Sequence, residues 1–300
     1  MTQQAHLRRT QFALALIAVC GACGAVRGGE QPADSGTDAS SVGIDAGDSD
    51  ASSPSTDAAS PPPDASTLGM SINPAASCAD LLTALGPVSG VYWVKNPDGH
   101  GAPFQVYCEQ QLEQGGWALL YNSVRRADGT TTAFWNIPYV QRFTTKGIPA
   151  PGQNYYQGNL YLSGTQYMDV FTDLAGTVAK AAVVHASGVN VDSMAFISPA
   201  LISGNPDVFA QEFNAGWSSP DHAGDTSGAN CAQRYSSVTQ HYGACWAYNL
   251  GADADPDTPF LDGGVGPHVS SNVLTALKLA VQPTGGKYSQ VARIARFTRW

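Results

Sequence analysis

Between Trp217 and Gly251 the chain gathers most of the side chains that could do chemistry: Asp221, Asp225, His241, Tyr242, Trp246 and Tyr248, around Cys231 and Cys245. Aspartates in a turning loop offer the oxygen ligands that hard cations take. Aromatic walls with a few backbone donors suit a sugar face or an acetamido methyl. The stretch has neither a helical period nor clean strand alternation, so it reads as a long surface loop. A loop this long in a compact domain is functional or disordered, and a disulfide across its middle would favour order. His241, Tyr242, Trp246 and Tyr248 are the candidate ligand-binding side chains, with Asp221 and Asp225 just upstream.

Catalysis finds little support. No Gly-x-Ser-x-Gly, His-Glu-x-x-His or phosphate loop occurs, and the six histidines, at 6, 100, 185, 222, 241 and 268, have no metal-ligand spacing. The chain is read as not an enzyme, with a hydrolase assembled from distant residues as the third reading. Residues 28–71 carry eight acids and no base, and from residue 72 onward 12 basic and 16 acidic residues leave a net charge of −4. No basic footprint for nucleic acid exists.

The elements that must hold these residues begin with an export signal. Residues 1–23 carry Arg8 and Arg9, the apolar run Phe12–Val19 and then Cys20-Gly-Ala-Cys23, a run too short to span a membrane. Small residues before a cysteine resemble a lipobox. Gly21-Ala22 before Cys23 suits it better than Ala18-Val19 before Cys20, so Cys23 is the expected lipidation site. Association with membrane is then through the lipid alone, and the expected place is the outer membrane surface of a bacterium. Residues 24–71, rich in Asp, Ser, Ala and Pro, cannot offset their ordering entropy by burial and read as a disordered acidic tether. The four remaining cysteines, Cys78, Cys108, Cys231 and Cys245, suit an oxidising compartment and allow three pairings, of which local pairing is the simplest.

The folded part, 72–300, opens with helical spacing over Cys78–Leu85, stopped by Gly86-Pro87. Strands are expected at Gly90–Lys95, Phe104–Cys108 and Gly115–Tyr121, with Asn96–Gly101 as a turn. Further on, Tyr155–Leu162, Ala179–His185, Met194–Ile197, Ala276–Gln282 and Val291–Phe297 look like strands, and Gly188–Asp192 like a turn.

Read together, SCADLL, SGVYWV, PFQVYC and GGWALL over 76–121, then Asn230-Cys231-Ala232, His241-Tyr242, Cys245 and Asn249-Leu250-Gly251, resemble the fibrinogen C-terminal-like domain family, which includes ficolins and tachylectins. The resemblance covers roughly 72–300 and is weakest in the middle. It implies an α+β fold: a small N-terminal disulfide-bonded subdomain, a central twisted antiparallel sheet and a loop-rich ligand-binding region. It pairs Cys78 with Cys108 and Cys231 with Cys245. Trp217-Ser218-Ser219-Pro220-Asp221 resembles the entry to the family's calcium loop, and Asp225 matches the second calcium aspartate. The first matching position is Ala223, which Asp221 would replace. Asn230-Cys231 resembles a cis peptide that, with aromatics, cradles an N-acetyl group in ficolin-like members, which adds Asn230 and Cys231 to the ligand-binding residues. Trp246 stands where many relatives have His. The function so implied is non-enzymatic recognition of an extracellular glycan or acetylated group, with calcium as cofactor. A protein-binding adhesion module that takes a surface protein is the second reading.

Overall fold

The computed structural model describes residues 67–126, 130–251, 266–282 and 287–300. The expected export signal, Cys20, Cys23 and the tether up to residue 66 lie outside them. A nine-stranded antiparallel sheet runs in the order Gly90–Val94, Phe104–Glu109, Trp117–Val124, Arg293–Arg299, Gln166–Thr172, Val178–His185, Ala200–Gly204. Tyr155–Gln157 pairs on Trp117–Val124, and Thr145–Gly147 extends it.

The N-terminal subdomain forms where the apolar spacing places it. Ser77 caps the helix Cys78–Leu85 by accepting from Asp80 N (3.2 Å), Cys78 and Leu81 face inward, and Gly86 at φ +77° ends it. Cys78 is bonded to Cys108, which pins this helix to the second strand. Buried Gln110 completes the join, donating to Cys78 O (2.8 Å) and accepting from Gly116 N (2.7 Å). Residues 67–71 pack with this subdomain: Gly69 O accepts from Trp93 N (2.8 Å) and Leu68 lies against the core.

The middle of the sheet is buried throughout. Every residue of Trp117–Val124 is covered, and so is the run from Tyr167 to Phe171. Sequence reading gave Gln166–Thr172 no strand: with both faces buried there is no alternation, and Asp169 interrupts the apolar run. Its partner Arg293–Arg299 sets Arg296 directly opposite Asp169.

Three other expectations change. Tyr155–Leu162 is a strand only to Gln157 and then becomes the helix Leu160–Ser163. The break falls at Gly158, where a Cβ would meet Arg142 O at 1.9 Å, so only glycine lets the chain turn there. Ala276–Gln282 is not a strand. Its first residue ends the helix Ser271–Ala276, and Asp173 then holds Ala280 N at 2.9 Å. Gly188–Val189, expected in a turn, pairs as a short strand with Phe196–Ile197, while Met194 turns at φ +57°.

Candidate functional site

Cys231 and Cys245 are bonded, with Cα atoms 5.5 Å apart. The loop around them is held by side chains more than by ladders. Asn230 caps the short helix Cys231–Arg234, accepting from Gln233 N (3.1 Å) and donating to Ser219 O (2.9 Å). The peptide after it is trans, as are all the described peptides, so the expected cis link at Asn230-Cys231 is absent. With φ −79° and ψ 103°, Asn230 holds the extended conformation of an ordinary N-cap.

Both aspartates of the expected calcium site are spent on this scaffolding. Asp225 accepts from Ser218 Oγ (2.8 Å) and Cys231 N (3.0 Å) on one oxygen and from Ser227 on the other. Burial works against its ionisation, but the bonds from Ser227, Cys231 and Ser218 outweigh it and hold the carboxyl below its usual value. Asp221 Oδ1 accepts from Ser219 Oγ (2.6 Å) and Tyr139 N (2.9 Å), bonds that lower its pKa too. Ala223 adds no ligand, and no cluster of three His, Cys, Asp or Glu side chains fit for a metal occurs among the described residues. A calcium ion here would have to displace the N–H and O–H donors that these carboxylates now hold and draw its other ligands from carbonyls or water.

Three of the four predicted aromatic ligands lie under the loop instead of on it. His241, Tyr242 and Tyr248 are buried. Tyr242 donates to Val238 O (2.7 Å) and accepts from Asn249 Nδ2 (3.2 Å). His241 donates to Met194 O (2.8 Å) amid Phe196, Trp217 and Tyr161, and burial, helped by the Arg296 charge, pulls its pKa down to about 3. The imidazole is therefore neutral. Tyr248 donates to Asp169 Oδ2 (2.8 Å) and accepts from Arg296 (2.8 Å) and Tyr121. Pairing of Trp217–Ser218 with Gln240–His241, and of Tyr248–Asn249 with His268–Ser270, turns these rings inward.

Beneath them lies a buried charge network. Arg296 grips Asp169 through two bonds (2.6 and 2.8 Å) and faces the Phe213 ring at 4.1 Å. Glu212, at the end of the helix Pro206–Glu212, receives Ala247 N (3.0 Å), Tyr248 N (3.3 Å) and Gln240 Nε2 (3.2 Å). Burial raises its pKa well above the usual carboxylate value. Gln211 beside it takes Ala244 N (2.9 Å). Adjacent side chains of one helix therefore hold both sides of Cys245.

Trp246 is buried as well, at 6% exposed, but its ring borders an opening. It stacks on Tyr288 (4.0 Å between centroids) and meets Tyr235 edge-on (5.5 Å). These three rings with Cys245, Lys287 and Asp207 contribute to the wall of a cavity of about 300 Å³. The Trp246 indole N–H is buried and has no partner among the described residues. Sequence reading missed Tyr235, Lys287 and Tyr288. No spacing rule joins residue 288 to residue 246; the join is made by Val269, which pairs with Tyr248 on one side and Ser289 on the other.

The nine-stranded antiparallel sheet, the stapled N-terminal subdomain and the loop region make this an α+β fold of the fibrinogen C-terminal type. It is similar to the fibrinogen-like globe domain of human ANGPTL6, with a TM-score of 0.50 and 23% identity over 76% of this chain and 96% of that one. In sequence, 95 residues are 32% identical to angiopoietin-related protein 1 of Bos taurus, and 91 residues are 29% identical to the Bos taurus fibrinogen beta chain. These matches cover 31% and 30% of this chain, and 18% of each relative's length. No family model matches.

Proposed function

We propose that this domain is a non-enzymatic recognition module, exported and tethered by a lipid on Cys23, that takes an extracellular glycan or acetylated group into the cavity beside Cys231–Cys245. The carrying observation is the stacked Trp246–Tyr288 pair in the wall of a 300 Å³ cavity. Stacked rings offer an apolar face to a sugar ring or an acetyl methyl. Lys287 and Asp207 supply charged groups of both signs on the rim. In this reading recognition needs no calcium, because Asp221 and Asp225 serve the loop itself.

A glycan array probed with the purified chain, with and without EDTA, tests the reading. Binding of acetylated sugars that EDTA leaves intact and Tyr288→Ala weakens at least tenfold is the expected result. Capture of surface proteins without any sugar binding would transfer the site to the adhesion reading, and turnover of an array sugar would revive the hydrolase.

A further inference from the structure

A second opening lies where the turn between the first two strands meets the last strand. Two clefts, of about 520 and 380 Å³, both have Asn96, Pro97 and Trp300 in their walls. Each volume falls within the roughly 300–1,000 Å³ of small-molecule pockets. Asn159 and Ser163 border one cleft, and Lys95 borders the other.

The walls are held in place. Thr165 N donates to Arg299 O (3.0 Å), and the Arg299 guanidinium lies on Trp117 (4.0 Å) while donating to Glu113 O and Gly115 O (2.9 and 2.7 Å). Trp300 itself packs on the core and stays half-exposed. In the facing turn, Gly99 N bonds Asn96 O (3.0 Å) and His100 N bonds Asp98 Oδ1 (2.7 Å). Gly99 and Gly101 sit at φ +74° and +84°, where glycine alone is unstrained.

The polar side chains here are unspent. Among the described residues the amides of Asn96 and Asn159, the Ser163 hydroxyl and the Lys95 ammonium make no intramolecular hydrogen bond or ion pair. We propose that the Trp300 cleft binds a neutral, non-acetylated saccharide, with a sugar ring on the indole and its hydroxyls on Asn96 and Asn159. A carboxamide is donor and acceptor at once, as is each sugar hydroxyl, so the two match in either direction. A run of prolines would bring only backbone carbonyl acceptors and no donor for the amide oxygens. The cleft that Asn159 borders has Asp98 and no basic side chain in its wall, which disfavours an anionic ligand. The site shares no residue with the cavity at Cys245, so it stands or falls independently of that one.

The test uses the exported protein with laminarihexaose, cellohexaose and mannohexaose, which carry no acetyl group, followed by saturation-transfer NMR and tryptophan fluorescence. At least one hexaose is expected to bind. Trp300→Ala should weaken it tenfold or more, Asn96→Ala with Asn159→Ala three- to tenfold, and Tyr288→Ala not at all. Should Trp300→Ala disturb the near-UV circular dichroism, the surface pair of asparagine variants decides. Silence with all three hexaoses, unchanged affinity in the asparagine double variant, or binding of decaproline in place of sugar would overturn the proposal.

Discussion

The bridges Cys78–Cys108 and Cys231–Cys245 span the same 5.5 Å between Cα atoms, yet the backbones around them are built differently. The first joins a capped helix to a strand in a regular ladder, where backbone groups satisfy one another. The second sits where ladders are two residues long, and Asp225, Asn230, Gln211, Glu212 and Gln240 take the amides that no strand takes. Buried backbone groups must be paired either way. An irregular surface can be held in place when polar side chains substitute for a sheet.

If that contrast is right, the largest loss should come from the charge network under the loop. Asp169→Ala leaves Arg296 buried without its partner and is expected to cost about 3–5 kcal/mol by urea denaturation. A loss under 1 kcal/mol would mean the network is not what seats Tyr248. Next come the bridges. Replacing either cysteine pair by alanine should cost about 3 kcal/mol in the chain-entropy model. Only the Cys231–Cys245 pair should also abolish ligand binding at Trp246, measured on the same glycan array.

The third test is pH. The His241 pKa is lower folded, about 3, than unfolded, near the usual 6.5. The unfolded chain therefore binds more protons between these values, and the His241 contribution is full above about pH 6.5 and lost as pH falls toward 3. The expected slope approaches about 1.4 kcal/mol per pH unit at mid-window. His241→Gln, which keeps a donor for Met194 O, should flatten it in denaturation series from pH 4 to 7. The smallest effect is expected of EDTA, which should leave the melting temperature unchanged. A drop of several degrees would show that Asp221 and Asp225 hold a cation after all.

The two regions also differed in how far they could be read beforehand. Cys78–Leu85 and the strands that follow announced themselves through local apolar spacing and glycine or proline stops. In the loop, the residue types were informative but their direction was not. His241, Tyr242 and Tyr248 sit among Gly, Ser and Asn, as surface residues do, yet Gln240 and Glu212, 28 positions apart, pull their backbone inward. Tyr288 reaches Trp246 through an intervening strand, which no local pattern reveals. Asp169 hid a central strand because its partner Arg296 is 127 positions away.

That same pairing governs how the polypeptide can mature. Among the described strands Arg293–Arg299 comes last in sequence but lies between Trp117–Val124 and Gln166–Thr172. Until it emerges, the two halves of the sheet have no shared neighbour and the Asp169 carboxylate has no guanidinium. Contacts of such long sequence separation form late and slowly. Closure of the central sheet thus waits on a strand that joins two regions more than 100 positions upstream of it.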